Sequence, residues 1–580
     1  MQMSVSNIEK INLYFKLPIF FNEKKMELNK NITTDLELIK TIDASGCSPL
    51  YHYAFQPKTI CAEKIIEQMA TYYTTDTEFL KDTQNLITNY KPLPYSCTSS
   101  LSTVIEIWDE IKNDTGFKEK YHYIDWPMWE HLNKSDYFLQ IMSVYNLAAP
   151  VISLCIPFII LIIPFFIIQM KGLKVSINEY IEILKTIAST HAIGKLFTKF
   201  NSVKMDEKIY MLLSAAFYVF SIYQNILTCM RFHQNMTKIH EHLSSIKKYI
   251  ENTEATMYNL LLYTDSLKTY EKFNNTMKEK LAVLTQLREH LGKISPYRLT
   301  YSKIGELGHV LKHFYDIYSD TSYNDAFLYS FGFNGYINNI DGIAENITNG
   351  HIHLAKFTQK KKMTSLKNAY YPALINNNPI KNSFKFNKNM TITGPNASGK
   401  TTTLKTALIN VIMTQQFGCG FYDSANINPY KHIHCYLNIP DTSGRDSLFQ
   451  AEARRCKEII DIVKNNDSKD THFCVFDELY SGTNPEEAVL SAHAFMTYLI
   501  KFKNVNCILT THFIDLCKKL NDNKAIENYH MKTVESSSDD FNYTYLLEKG
   551  ISSVRGGIKV LHDMNYPKEI IDGTMNTTKI

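Results

Sequence analysis

The chain has 580 residues, of which 44% are hydrophobic and 21% charged, with a formal net charge of +4. This composition excludes an intrinsically disordered chain, and the length calls for two to four domains rather than one core. So small a net charge does not mark a nucleic-acid binder by bulk electrostatics, although a local basic patch would suffice for one.

The 11 cysteines are scattered singly with no C-x-x-C pair, which excludes a zinc ribbon or dithiol motif. Cys155, Cys474 and Cys507 lie in apolar runs, where a thiol acts as a small hydrophobe. An intracellular, reducing compartment is expected. The N-terminus lacks the layout of a signal peptide.

In chain order, residues 1–40 read as a polar lead-in. Segment 41–145 turns helical from Leu50 to Ile87, with Ile65, Ile66, Met69, Phe79, Leu80, Leu86 and Ile87 at three- and four-residue spacings. Segment 146–230 is a hydrophobic insert. Its first run, 147–168 (LAAPVISLCIPFIILIIPFFII), has no charge and is long enough to cross a bilayer as a helix. Pro150, Pro157 and Pro164 share one helical face and are better tolerated in lipid than in a soluble helix interior. The second uncharged run, 209–230, carries Ser, Gln and Asn. Two readings stay open: a membrane hairpin or interfacial anchor, and a buried helical pair. Between the runs lie Lys171, Lys174, Lys185, Lys195, Lys199, Lys204 and Lys208, and lysine-rich loops resist translocation.

Segment 231–364 opens on heptad-like spacing. Ile239, Leu243, Ile246 and Ile250, then Leu284, Leu287, Leu291 and Ile294, predict long antiparallel helices along one seam. The Gly and Asn residues of FGFNGYINNIDGIAENITNG (331–350) predict a return through a compact connector. From 365 to 580, short β-rich runs alternate with helical stretches, the pattern of an α/β domain on a parallel sheet.

That last segment carries the chemistry. TGPNASGKTT (393–402) contains G-x-x-x-x-G-K-T between a short strand and a helical run, the context a phosphate loop needs. Gly394, Pro395, Asn396, Ala397, Ser398, Gly399, Lys400, Thr401 and Thr402 form the candidate nucleotide cradle. Its glycines turn backbone N–H groups inward, and the helix N-terminus adds its dipole. Lys400 supplies a cation to the β- and γ-phosphates, and Thr401 a hydroxyl to magnesium. The apolar run 472–476 ends in Asp477 and Glu478. Asp477 is placed to hold the Mg2+ shell, and Glu478 to orient and deprotonate a water. A third run, 505–509, ends in Thr510, Thr511 and His512, a candidate γ-phosphate sensor. The three sheet-end elements together predict a nucleotide hydrolase.

These residues resemble the MutS family. DELYSGT (477–483) is similar to that family's DE-x-x-x-GT segment, and the phosphate loop with its Leu404-Lys405-Thr406 tail resembles the members without a mismatch-reading domain. GRDSLFQAE (444–452) resembles the family's serine motif, with Leu448 where the family has Thr. The resemblance implies that Ser447 acts in trans on the partner's γ-phosphate and that Tyr371, before Pro372, stacks on adenine. Asn528-Tyr529-His530, 550–559 and Asn565-Tyr566-Pro567 resemble the closing segment. More weakly, 48–66 and Asp82-Thr83-Gln84 resemble the opening of the core and lever domain, with Ala62 where Gly is usual.

The resemblance implies an ABC-like ATPase domain C-terminal to a mainly α-helical core and lever domain. It also implies ATP and Mg2+ as cofactors, DNA as a backbone- or structure-specific partner, and a dimer with itself or a homologous subunit. Membrane contact would run through 147–168 and 209–230. Phe21-Asn22-Glu23 matches the mismatch-reading motif by chance, because too few residues precede the lever segment. Lys247, Lys248, Lys278 and Lys280 read first as a solvated helix face. An ATP-driven machine of the ABC transporter class is the alternative, against which the missing L-S-G-G-Q signature counts.

Overall fold

The computed structural model describes residues 7–42, 47–93, 98–172, 176–190, 194, 200, 204–296, 300–359, 363–437, 447–537, 540–552, 554, 564, 566–567 and 569–570. Residues 444–446 of the serine motif, much of 553–565, and Lys174, Lys195 and Lys199 lie outside them. Two compact units form. One comprises Met1–Asn7, Ser99–Glu254 and Ala282–Phe327; the other comprises Ile8–Thr98, Ala255–Leu281 and Leu328–Ile580.

The larger unit is built on a six-stranded sheet. Its spatial order is Asp540–Lys549, Ile526–Ser537, Asn389–Thr393, Val505–Thr511, His472–Asp477, His432–Tyr436. All neighbours pair in parallel except the hairpin of the first two. The register sets Asp477 against Thr510 and Thr511 against Thr393. Three strand ends therefore meet at one sheet edge, where parallel sheets place their ligands. A second sheet has the order Asn382–Lys385, Ser365–Ala369, Ser424–Ile427, His353–Phe357, Cys419–Gly420.

Helix Lys400–Phe417 is buried on nearly every side. Its inward polar groups are satisfied, as burial demands. Asn410 Oδ1 accepts from Phe421 N at 2.7 Å. Gln415 donates to Tyr430 O and accepts from Tyr430 N, both at 2.8 Å.

Two expectations change in this unit. The 1–40 lead-in is part of the fold: Ile11, Phe15, Ile32, Leu36 and Leu38 are fully buried, and Lys25–Glu27 pairs with Tyr72–Thr74. Its apolar residues are too sparsely spaced to show a period. The connector expected at 331–350 lies mostly within one helix, Thr321–Thr348. Its glycines are packing residues rather than turns. A Cβ at Gly332 would lie 2.4 Å from Phe15 Cβ, one at Gly335 2.5 Å from Cys61 O, and one at Gly342 1.8 Å from Phe55 O. Asn339 and Asn346 of the same helix donate to Ala62 O and to the carbonyls of Tyr53 and Ala54.

The smaller unit is helical. Helices Asp136–Met170 and Met205–Thr264 contain the two uncharged runs. The predicted seam is buried: Ile239, Leu243, Ile246, Ile250, Leu284, Leu287 and Leu291 are at most 2% exposed. Arg288 Nε donates to Glu254 Oε2 at 2.7 Å across the two seam helices. The uncharged runs are not a buried pair. Ile162, Phe166, Leu212, Phe217 and Phe220 are each more than half exposed.

Candidate nucleotide site

The phosphate loop leaves strand Asn389–Thr393 and enters helix Lys400–Phe417 at Gly399, whose φ of 89° is left-handed. A Cβ there would meet Tyr545 Cδ1 at 3.0 Å, so glycine is required by both conformation and space. Ala397 also has positive φ, at 62°. Ser398 Oγ is buried without a partner beside Gly394, an orphan hydroxyl inside the cradle that a phosphate oxygen would satisfy. Lys400 Nζ lies 3.1 Å from the carbonyls of Gly394 and Pro395 and 3.9 Å from Glu478 Oε1. Burial lowers the Lys400 pKa, against the opposing pull of Glu478 and Asp477.

Thr401 Oγ1 donates to Asp477 Oδ2 at 2.8 Å, and Thr510 Oγ1 donates to Asp477 Oδ1. One carboxylate oxygen is thus oriented by the first turn of helix Lys400–Phe417 and the other by the neighbouring strand Val505–Thr511. Thr401 and Asp477 are hard oxygen donors, and Mg2+ takes one or two carboxylates together with phosphates and waters. The pair fits that ion as a shared protein-and-nucleotide site. Among the described residues no cluster of three or more His, Cys, Asp or Glu side chains is arranged to hold a metal alone.

Glu478 follows Asp477 with φ at 49°, a strained conformation for a residue with a side chain. Its N–H donates to Thr510 O at 3.0 Å, which fixes the turn. His512 Nδ1 lies 3.4 Å from Glu478 Oε1, and this contact holds the Glu478 pKa below the usual carboxylate range.

A cleft of about 760 Å³ brings together Asn396, Ala397, Gly399, Lys400, Thr401, Thr402, Glu478 and Tyr371. A second, of about 740 Å³, is lined by Gly394, Pro395, Asn396, Glu478, His512 and helix Pro485–Leu499. Asn396 and Glu478 border both. Ser447 lines neither. It is exposed and caps helix Leu448–Asn465, its Oγ accepting from Gln450 N while Gln450 Oε1 accepts from Ser447 N.

Three contributors were not singled out from sequence. Thr510 lies in the run before His512 with no motif of its own to mark it. Glu452 ends the serine motif, and its buried carboxylate accepts from Ser481 N, Ser481 Oγ and Gly482 N at 3.1 to 3.2 Å. Gly482 must be glycine there, because a Cβ would stand 2.8 Å from Leu448 Cγ. Glu452 thereby ties the Ser447 helix to the turn after Glu478. Tyr545 lines the first cleft from the edge hairpin, and only the register of that hairpin could have revealed it. In the segment that resembles the family's closing one, Ser552 N donates to Thr393 Oγ1 at 2.9 Å. Lys278 pairs with Asp265 and Lys247 with Glu251, as on an ordinary charged helix face.

The sheet and its three loaded strand ends define a phosphate-loop nucleotide-binding protein. Residues 390–579 match MutS domain V, a phosphate-loop ATPase domain. Relatives include MutS protein homolog 4 of Mus musculus, 31% identical over 197 residues, which cover 33% of this chain and 20% of the relative. DNA mismatch repair protein MSH3 of Meyerozyma guilliermondii is 30% identical over 204 residues, with coverages of 33% and 20%. Endonuclease MutS2 of Staphylococcus aureus is 27% identical over 218 residues, with coverages of 37% and 29%. Residues 390–579 are thus the part of the chain with MutS family likeness, as its domain V, and the matched stretch spans less than a third of the length of each of these relatives.

Proposed function

We propose that this protein binds and hydrolyses ATP with Mg2+ and uses the cycle to move helical levers around DNA. The constellation Thr401–Asp477–Glu478–His512 at one sheet edge carries the reading. Bound magnesium would neutralise charge on the β- and γ-phosphates. Thr401 and Asp477 would hold it, Lys400 would bind the phosphates, and Glu478 would accept a proton from the attacking water at its carboxylate. Tyr371 and Tyr545 line the cleft on the side away from His512 and would hold the base.

The active form is a dimer with itself or a homologous subunit. Glu478 and His512 open into the second cleft, where Ser447 of a partner subunit would approach the γ-phosphate. DNA is gripped through its backbone or branched shape, in mismatch repair or a related process. The location is intracellular and reducing, with membrane contact through 147–168 and 209–230. The MutS family likeness of residues 390–579 disfavours the transporter-class alternative.

The test is ATP turnover with duplex, mismatched and branched DNA. Stimulation by at least one is expected, and its absence with all three overturns the DNA reading. Glu478→Ala should retain ATP and lose about 10²- to 10⁴-fold in turnover. Unchanged turnover would remove Glu478 from the role of base.

A further inference from the structure

The uncharged runs form a hairpin whose outer surface is apolar and whose inner seam is polar. From 137 to 170 and from 209 to 230 there is no Asp, Glu, Lys or Arg. Tyr218 Oη donates to Ser153 O at 2.8 Å, Asn225 Nδ2 donates to Ser153 Oγ, and Cys229 Sγ contacts Leu147 O at 3.6 Å. The contacts descend one helix as they ascend the other, so the pair is antiparallel. Ser153 Oγ also donates to Ala149 O at 2.8 Å. Three polar side chains are thus satisfied inside the pair, as lipid requires. Residues 209–230 would span about 33 Å at helical rise, close to a bilayer's hydrocarbon thickness.

A second observation lies at the base of this hairpin. Of three tryptophans in the chain, Trp108 is buried, whereas Trp126 is 73% and Trp129 45% exposed. Tyr137, at 80%, and Tyr145 are exposed on the first turns of helix Asp136–Met170. The segment holding the tryptophans is fixed beside the second helix: Asn235 Nδ2 donates to Lys120 O, and Asn133 brackets Ile124 through both its N–H and its carbonyl. Exposed Trp and Tyr at the end of an apolar helix match the aromatic belt of a membrane–water interface.

We propose that the hairpin enters a lipid bilayer as one pre-paired unit, with Trp126, Trp129 and Tyr137 seated in the headgroup layer at its base. This deepens, and rests on, the membrane contact proposed above. It makes the insert an anchor of defined depth, with an interfacial collar that stops further entry.

The experiment uses the full chain carrying Trp108→Phe, so that Trp126 and Trp129 are the only tryptophans, excited selectively over the tyrosines. It is mixed with vesicles of phosphatidylcholine containing about one fifth phosphatidylglycerol. Flotation reads membrane contact, and quenching by lipids brominated near the headgroup or deep in the acyl chain reads tryptophan depth. The expected result is flotation, a blue-shifted emission, and stronger quenching by the shallow bromines. Flotation without shift or quenching overturns the collar and leaves the membrane contact standing. No flotation overturns both, and self-association without flotation assigns the apolar face to a second copy. The double variant Phe217→Lys, Phe220→Lys changes exposed positions only. It should lose flotation by more than about 10³-fold with ATP turnover unchanged, and undiminished flotation would place the contact elsewhere.

Discussion

Thr510→Val tests whether Asp477 is held from two sides. Thr510 is fully buried, and its hydroxyl donates to Asp477 Oδ1 and lies 3.3 Å from Phe476 O. Valine keeps the shape and the β-branched preference of a strand position, so the sheet should survive. A hydrogen bond to a charged group contributes about 1.5–3 kcal/mol. Asp477 is only half-buried, and water can replace part of that loss. The remainder, about 1.4 kcal/mol, corresponds to about tenfold weaker Mg2+ binding. Thr401→Val removes the opposing donor together with a metal oxygen and should cost more. The assay is binding of a fluorescent ATP analogue across an Mg2+ titration, with thermal unfolding in parallel. A Thr510→Val midpoint within about twofold of the parent, at unchanged stability, would refute the two-sided clamp.

Tyr545→Ala opens the first cleft at its edge hairpin and should weaken ATP about tenfold, since aromatic pairs contribute about 0.5–1.5 kcal/mol beyond area burial; equal affinity in equilibrium binding would remove Tyr545 from the site. Glu452→Gln puts an amide donor among three donors and should destabilise the larger unit by about 2–3 kcal/mol, seen as a lower denaturant midpoint. Stability should also fall as pH drops from about 6.5 towards 4. Burial depresses His472 to about 4 and His434 to about 3. The unfolded chain takes up protons in that window while the folded chain does not. The loss is about 1–2 kcal/mol per ring at pH 5, and a flat unfolding midpoint between pH 7 and 5 would contradict it.

The candidate site was largely legible because its chemistry lies at strand ends that are continuous in sequence. Gly394 to Thr402, Asp477 with Glu478, and His512 each follow an apolar run, and the parallel register brings those runs to one edge. Thr510 and Tyr545 were harder to see because their roles exist only across strands. The helix Thr321–Thr348 departs from the sequence expectation for a different reason. Glycine and asparagine signal turns when local conformation decides, but here close backbone approach to Phe55 and Cys61 decides. Ser447 was placed by family resemblance, and its own chain uses the hydroxyl as a helix cap.

The helix behind the phosphate loop explains how the upstream segment shares in the nucleotide site. At its C-terminal end, Gly418 is left-handed at φ 73°, and its carbonyl accepts from Gln84 Nε2 at 2.6 Å. The same Gln84 nitrogen donates to Ala355 O at 2.8 Å. Two residues earlier, Gln416 donates to the carbonyls of Met69 and Tyr72 and accepts from Tyr51 Oη at 2.6 Å. The weakly recognised 48–84 segment thus clamps one end of the helix whose other end holds Lys400 and Thr401. A buried helix with satisfied polar contacts on this many sides moves as a body or not at all, because each contact broken alone leaves a buried orphan costing about 1–3 kcal/mol. Any shift that a nucleotide imposes on Lys400 and Thr401 is therefore delivered to residues 50–89 within the same unit.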